Sequence, residues 1–286
     1  MIIIGEKING AIPSVKQAIE ARDEALIIQL TLAQAAAGAD FIDCAPSTAT
    51  DIEYETMVWL IGVMQGATDV PLCIDSPDAN LLARIIEEGH LHRPGMVNSV
   101  SGEGNKCETI FPLIAGTPWE VVGLTCDRDG IPADPQKKVD IAKGIIDKAV
   151  NYGVELEKLH IDPCVMALST QPSVMEDFAY CIRAIHAYAP SVKVTGAISN
   201  ISFQMPARKY VNMNCMAYAM AAGLDSAIID PCSADMMGTI YACQALRMQD
   251  KGGRKYNRAY RKGLFGAVGS QRLVGGILVV VGNLQA

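Results

Sequence analysis

Residues 222–235, AGLDSAIIDPCSAD, contain the unit of sequence that decides the fold. Gly223 ends a helix candidate, and the apolar run at 227–229 has the length of a short strand. Asp230 is the first polar residue after that run, and Ser233 is a candidate N-cap for the next helix. The stretch therefore predicts a helix, a turn, a strand and a second helix in succession.

The same succession recurs along the whole chain. Eight short apolar runs, each followed by a polar turn, are predicted strands: 2–4, 41–42, 72–74, 96–97, 121–124, 159–161, 192–195 and 227–229. Helices are predicted between them, at about 14–37, 51–66, 78–89, 103–116, 135–152, 172–189, 210–222 and 233–250. Ser14 and Asp51 are further candidate N-caps. The runs lack polar alternation, as expected of parallel strands buried on both faces.

Eight strands alternating with eight helices predict an α/β protein with a single (β/α)8 TIM barrel over residues 1–250. A doubly wound open sheet is the alternative. That fold usually places a glycine-rich phosphate loop after its first strand, whereas residues 5–10 read GEKING and do not match G-x-G-x-x-G. Residues 251–286 form a C-terminal extension, basic at 251–262 and rich in Gly and Val after Gly263, to which no role is assigned.

Composition and charge exclude several classes of protein. The chain has 286 residues, of which 50% are hydrophobic and 19% charged, which excludes a disordered chain. Its formal net charge is −7, and residues 1–253 alone carry 18 basic and 31 acidic side chains, a net charge of −13. Such an acidic body argues against a nucleic-acid partner.

Cysteine usage and apolar run lengths bear on the compartment. The nine cysteines are odd in number and contain no C-x-x-C pair, which indicates a reducing, cytoplasmic environment rather than a disulfide framework. The start, MIIIGEKING, is too short and too acidic for a secretory signal. The apolar runs all stay below the roughly 18 residues of a membrane span, so no membrane association is expected.

Carboxylates and carboxamides dominate the polar residues that follow the predicted strands. In chain order these residues are Glu6, Asn9, Asp43, Asp75, Ser76, Asn98, Ser99, Thr125, Asp127, Asp162, Ser199, Asn200 and Asp230. Active sites of TIM barrels lie at these strand ends. Asp accepts hydrogen bonds from ring N–H and amino groups, and Asn both accepts and donates, so the set suits a flat, nitrogen-rich heterocycle such as a pterin or a purine.

Three other interpretations of these residues stay open. Single members could be N-caps of the following helices. Glu6, Asp43, Asp75 and Asp162 could hold Mg²⁺ or Mn²⁺ in a metal-dependent lyase, although the Lys or His base of such sites is not apparent. The cysteines just past strands, Cys44, Cys126, Cys164 and Cys232, could act as thiolates, although small buried side chains are the simpler interpretation.

A set of motifs in these positions resembles the pterin-binding methyltransferases, and most of all the methyltetrahydrofolate:corrinoid protein methyltransferases. The matching stretches are IIIGEKING, FIDCAPS, LCIDSPD, MVNSVSGE, FPLIAGT, VVGLTCDRDGIP, LHIDPCV, GAISNISFQMPAR and MAAGLDSAIIDPC. They follow one another in order from residue 1 to about residue 250, so the resemblance covers the predicted barrel and implies a barrel of the pterin-binding type.

The resemblance implies a role for six residues. Asp75, Asn98 and Asp162 match residues that hold the pterin ring, and Asn200 matches the residue that contacts N5, the nitrogen that carries the methyl group. Gly196 matches a glycine of the pterin cleft, and Arg208 matches an arginine linked to substrate binding. Of these, Asn200, Asp162 and Asp75 are expected to be catalytic. Phe203 stands where some relatives have Gln, which departs from the pattern.

The implied reaction moves a methyl group between N5 of tetrahydrofolate and the cobalt of a corrinoid by SN2 displacement, with no metal bound by the chain itself. The D-x-H-x-x-G pattern of cobalamin-binding domains is absent from the sequence, so the corrinoid is expected on a separate protein. A homodimer is implied by resemblance only. A dihydropteroate-synthase-like enzyme and a non-catalytic folate-binding protein remain the rivals.

Overall fold

The computed structural model of the chain describes residues 1–266, together with the backbone of Arg272–Val274 and Ile277–Val279. The remaining residues of the predicted extension, with most of its Gly- and Val-rich segment, lie outside the described residues.

Eight parallel strands form one sheet, and each of the eight predicted strands is confirmed. They are β1 Ile2–Gly5, β2 Phe41–Cys44, β3 Leu72–Asp75, β4 Met96–Ser101, β5 Glu120–Leu124, β6 Leu159–Asp162, β7 Lys193–Val194 and β8 Ser226–Ile229. Their order is β7-β6-β5-β4-β3-β2-β1-β8, and each neighbouring pair in this order is parallel. The predicted TIM barrel is therefore confirmed.

Strands β7 and β8 meet where the ring closes. The backbone N–H of Asp225 donates to the carbonyl of Val194 at 3.0 Å, and the N–H of Ile228 donates to the carbonyl of Gly196 at 3.0 Å. β7 has only two residues, so this seam is shorter than the four-residue pairing of β1 with β8.

The helices surround the sheet. They are α1 Pro13–Glu20, α2 Glu24–Ala37, α3 Thr50–Ala67, α4 Ala79–Glu87, α5 Lys106–Ile114, α6 Pro135–Tyr152, α7 Val174–Tyr188, α8 Arg208–Ala222, α9 Ala234–Leu246 and α10 Arg254–Arg261. Short 3-10 turns occur at Leu156–Lys158, Ile198–Ser202 and Lys251–Gly253. No described helix has the length and apolar character needed to cross a bilayer.

The first predicted helix is wrong as a single element, because it is broken into α1 and α2. Arg22 adopts a left-handed backbone with φ of 52°, and the Asp23 side chain accepts a hydrogen bond from the Leu26 N–H as the N-cap of α2. The predicted N-caps Ser14 and Asp51 are also wrong, since α1 and α3 follow Ile12 and Ala49. Ser233 is confirmed, with its side chain accepting from the Met236 N–H.

The core has two layers, because both faces of the strands are buried. A small cluster inside the barrel consists of Ile4, Cys73, Met96, Val122 and Ile228. A much larger one lies between the sheet and the helices. The apolar runs recognised in the sequence therefore reflect strands whose two faces are both removed from water.

A buried histidine closes the amino-terminal end of the barrel. The Nδ1 atom of His160 lies 2.7 Å from the Ser226 hydroxyl, and its Nε2 atom lies 2.5 Å from a Glu120 carboxylate oxygen. Burial lowers the pKa of His160, so the ring is neutral at pH 7. A neutral ring with its proton on Nε2 satisfies both neighbours, because Nε2 then donates to Glu120 and Nδ1 accepts from Ser226.

The described part of the C-terminal extension packs on the barrel. Phe265 stacks on Tyr241 of α9 with ring centroids 5.6 Å apart and contacts Tyr256 of α10 at 4.8 Å. Asp250 accepts hydrogen bonds from the N–H groups of Lys255 and Tyr256, which fixes the start of α10. Residues 251–266 are thus joined to α9 by aromatic packing.

Candidate functional site

The six residues proposed for the site all lie at the carboxyl ends of the strands. Asp75 ends β3, Asn98 lies in β4, and Asp162 ends β6. Asp75 and Asn98 are paired positions of neighbouring strands. Gly196, Asn200 and Arg208 follow β7 in the segment that leads to α8. One end of the barrel therefore carries all of them.

These carboxylates are not helix N-caps. The N-caps of α4, α6 and α9 are Asp78, Asp134 and Ser233, whose side chains accept from backbone N–H groups of their helices. Asp162 and Asp230 instead each accept from the N–H two residues ahead, at 2.7 and 2.9 Å. The capping interpretation therefore does not account for Asp75, Asp162 or Asp230.

Asp75 and Asp43 are buried carboxyl groups that interact with each other. Burial and then the charge of Glu53 raise the pKa of Asp75 to about 7. Burial, reinforced by the charge of Asp75, raises the pKa of Asp43 well above its ordinary value. One Asp43 oxygen, Oδ1, is buried without a hydrogen-bond partner among the described residues. Two such close carboxyls do not both ionise near pH 7, so the pair holds a proton there.

Asp162 is a nearly buried acceptor. Burial raises the pKa of its carboxyl to about 6, so at pH 7 the group is mainly the carboxylate. Its Oδ1 accepts from the Cys164 N–H, whose carbonyl in turn accepts from the Lys138 ammonium at 2.9 Å. A carboxylate held in this way is suited to accept hydrogen bonds from ring N–H and amino groups of a heterocycle.

The turn Ile198–Ser202 carries Asn200 at the mouth of the barrel. The backbone of Asn200 makes its hydrogen bonds inside the turn, donating to Ala197 at 3.2 Å and accepting from Phe203 at 3.1 Å. Its side chain is exposed, which leaves the amide available to a ligand. Phe203, the residue that departs from the family pattern, is 57% exposed beside it.

Arg208 binds that same turn. Its Nε donates to the Ser202 hydroxyl at 2.9 Å, and its Nη2 donates to the Ser199 carbonyl at 2.7 Å. Two of its donors are therefore bound to residues of the turn that carries Asn200.

Glu6, for which the sequence predicts no specific role, lies at the same end of the barrel. Burial, followed by repulsion from Asp230, raises the pKa of its carboxyl to about 7. The Ser199 hydroxyl donates to its Oε2 at 3.2 Å. Its position directly after β1 was visible in the sequence, but its partner lies 193 residues further along the chain.

Gly196 has a packing reason to be glycine. A Cβ atom at this position would lie 2.8 Å from the Phe178 ring of α7 and 3.3 Å from a Val165 methyl group. The missing side chain would therefore point at the helix layer and the loop after β6, and the space is already filled.

Two rim residues are used by their own loops. Asp127 forms an ion pair with Lys137 at 3.1 Å and accepts from the Asp129 N–H. Asn9 accepts from the Ala11 N–H at 2.8 Å. Neither is brought into the group around Asp75 and Asp162.

Metal and thiolate chemistry receive no support from the described part of the chain. Within it, no group of three or more His, Cys, Asp or Glu side chains is arranged to hold a metal ion. Burial raises the pKa of the four cysteines past strand ends, and that of Cys232 reaches about 12. These groups are therefore thiols, not thiolates, near neutral pH.

Comparisons with known proteins agree with the geometry. The family model described as "Pterin binding enzyme" matches residues 8–230. A methylcorrinoid:tetrahydrofolate methyltransferase of Eubacterium limosum is 47% identical over 270 residues, which cover 94% of this chain and 99% of that protein. A methionine synthase of Mycobacterium tuberculosis is 30% identical over 242 residues, 80% of this chain but 20% of that protein.

Solved structures show the same barrel. A dihydropteroate synthase from Xanthomonas albilineans, in complex with 7,8-dihydropteroate, superposes with a TM-score of 0.60 over 86% of this chain and 92% of its own, at 18% identity. At that identity the likeness concerns the fold alone. The family match and the near full-length relative together show that this chain belongs to the pterin-binding enzyme family.

Proposed function

We propose that the protein is a methyltransferase that moves a methyl group between N5 of tetrahydrofolate and the cobalt of a corrinoid carried by a separate protein. The observation that carries the proposal is the grouping of Asp75, Asn98 and Asp162 at one end of the barrel, with the exposed Asn200 amide at its mouth. The relative from Eubacterium limosum is named for the same two reactants.

The donor and acceptor set fits a pterin ring. Asp162 offers a carboxylate, Asp75 shares a proton with Asp43, and Asn98 offers a nearly buried amide. The buried Oδ1 of Asp43 has no hydrogen-bond partner among the described residues, which supports a polar ligand near this pair. We propose Asp75, Asn98 and Asp162 as the groups that hold the pterin, next to Gly196 in the wall of the cleft.

Asn200 is the residue proposed to act on the reacting nitrogen. N5 gains positive charge when it carries an additional bond, and it must lose or regain a proton as the methyl group is exchanged. The Asn200 amide can donate to N5 and reorient as that charge changes. The corrinoid cobalt supplies the other end of the displacement, so orientation and electrostatics are what this chain contributes.

A dihydropteroate-synthase-like reaction is disfavoured by charge. That family needs basic residues near the end of β8 to bind pyrophosphate. The structure brings Lys7 to this place, which the sequence did not show, but Lys7 is paired with Asp230 at 3.3 Å. With Glu6 also close to Asp230, the end of β8 is poorly suited to an anionic leaving group.

Direct binding is the first test. Calorimetric titration of the purified protein with tetrahydrofolate and with 5-methyltetrahydrofolate should show binding in the micromolar range, and Asp162→Ala should abolish it. Methyl exchange with free cob(I)alamin then tests the reaction. Absence of binding to either folate by the folded protein would refute the proposal.

Asn200→Ala separates a catalyst from a folate-binding protein. Turnover should fall by on the order of 10²-fold while folate affinity changes far less, because the proposed contact matters most as charge develops at N5. Asn151→Ala, at the opposite end of the barrel, is the matched control. Equal losses of turnover and affinity would contradict the proposed role.

We further propose that the protein works as a homodimer in the cytoplasm with a corrinoid-binding protein as its partner. Sedimentation equilibrium tests the dimer. Co-purification with a methylated corrinoid protein, in the presence and absence of tetrahydrofolate, tests the partner.

A further inference from the structure

The turn that carries Asn200 is fastened on two sides. On the barrel side, the Ser199 hydroxyl donates to Glu6 at 3.2 Å. On the rim side, Arg208 donates to the Ser199 carbonyl at 2.7 Å and to the Ser202 hydroxyl at 2.9 Å. Ser199 and Ser202, the turn residues in these bonds, stand one position before and two positions after Asn200.

Glu6 directly follows β1, which is paired with both β2 and β8. Its N–H donates to the Ile229 carbonyl at 2.9 Å, which continues the pairing of β1 with β8. The next residue, Lys7, is bound through its N–H to Gln34 of α2 at 3.0 Å and through its ammonium to Asp230. The backbone on both sides of Glu6 is therefore held, so the Glu6 carboxyl group is a fixed hydrogen-bond acceptor for the turn.

The turn is also held from below, since Ile198 and Ile201 are buried in the core and the Ile201 carbonyl accepts from the Leu168 N–H at 2.9 Å. It follows β7, the two-residue strand, and it precedes a segment in which Gln204 and Ala207 take left-handed backbone conformations with φ of 63° and 50°. The backbone of Asn200 makes hydrogen bonds only to Ala197 and Phe203, the residues that flank the turn. Ser199 is the chain neighbour of Asn200, so its bonds to Glu6 and Arg208 are the held contacts nearest to the amide.

We infer that Glu6 is a positioning residue, which acts through Ser199, together with Arg208, to set the place of the Asn200 amide at the mouth. The inference rests on the proposed methyl transfer. Misplacing a reacting group by about 1 Å can cost on the order of 10²-fold in rate, so loss of the Glu6 anchor should be expressed in turnover more than in folate binding.

Epistasis between Glu6 and Asn200 is the decisive measurement. Glu6→Ala should lower kcat for methyl transfer by roughly 10- to 100-fold, with the folate Kd changed by no more than about threefold. Glu6→Gln should restore most of the rate, because its Oε1 still accepts from Ser199. In the Asn200→Ala background, Glu6→Ala should cause no further loss, since the group that it positions is gone.

Ser199→Ala breaks the same bond from the other side. It keeps the carbonyl that Arg208 binds and should reproduce the effect of Glu6→Ala even if that variant folds poorly. Glu155→Ala, at an exposed carboxylate paired with Lys158 just before β6, at the amino-terminal end of the barrel, serves as the control and should leave kcat unchanged.

The outcomes distinguish this inference from the proposed function. A folded wild-type protein without methyl transfer would remove the function itself. A wild-type protein that turns over, but in which the Glu6 and Asn200 losses multiply, would overturn the positioning role and leave the function intact. Equal effects of Glu6→Ala on kcat and on folate Kd would also overturn it.

Discussion

Ionisation of the Asp162 carboxyl group is less favourable in the folded protein than in the unfolded chain. Burial raises its pKa from 3.8 to about 6. A raised carboxyl pKa gives stability that is complete below pH 3.8 and is lost as pH rises through 6. Asp162→Asn should therefore make the unliganded protein more stable at pH 7, by up to about 3 kcal/mol, while it weakens folate binding.

Urea unfolding at pH 4.5 and pH 7 measures this effect. The gain of Asp162→Asn over wild type should be small at the lower pH and larger at the higher one. Asp140→Asn, on the exposed face of α6, is the control and should shift neither. A variant that is less stable than wild type at pH 7 would contradict the prediction.

Gly196 should not tolerate even one methyl group. Gly196→Ala places a Cβ 2.8 Å from the Phe178 ring, and overpacking of this kind costs about 1–3 kcal/mol. Phe178→Leu in the same chain should recover part of the loss. Gly144→Ala in α6, where an added Cβ meets nothing within 4 Å, should instead be stabilising in the same denaturation experiment.

The positions of single site residues were predictable where a residue follows its own strand. Asp75 and Asp162 end β3 and β6 as expected, because a polar residue after an apolar run marks a strand end. Glu6 follows the same rule but received no role, because its bond to Ser199 joins residues that are 193 positions apart in the chain. The pairing of Lys7 with Asp230 was hidden for the same reason.

The break between α1 and α2 depends on one cap. Asp23→Ala removes the acceptor of the Leu26 N–H and should cost about 1 kcal/mol. Asp23→Asn keeps an acceptor oxygen and should cost less. If urea unfolding shows the two variants to be equally stable, the side chain is not acting as a cap.

At the level of elements, strands were easier to predict than helix ends. All eight strands follow from their apolar runs, since burial on both faces leaves little other choice of residue. The helix predicted at 14–37 was broken because Arg22 takes a left-handed backbone, which no local pattern of arginine indicates. Helix starts at Pro13 and Thr50 likewise use no side-chain cap that a pattern could reveal.

For the molecule as a whole, the ionisable groups at the two ends of the barrel change folding stability with pH in opposite directions. Glu6, Asp75 and Asp162 at the mouth have raised pKa values and favour the folded state in acid. His160 at the other end has a lowered pKa, so the stability that it contributes is present above pH 6.5 and is lost as pH falls.

His160→Leu tests the amino-terminal end. It leaves Ser226 and Glu120 without this partner and should cost roughly 3 kcal/mol at pH 7.5, with folate affinity unchanged. The difference from wild type should shrink at pH 5.5, because the folded wild type then resists protonation of its histidine. A difference that grows on acidification would show that the ring is charged in the folded protein.

The short seam between β7 and β8 affects where the barrel opens locally. A closed ring opens first at its weakest joint, and this joint lies directly before the turn that carries Asn200. Amide hydrogens of Asp225 and Ile228 should therefore exchange with deuterium earlier than those of β1, whose strand is paired on both sides. Folate bound across the mouth should slow the exchange of these amide hydrogens. The seam that opens most easily in the empty barrel would then be the part of the ring that substrate binding stabilises most.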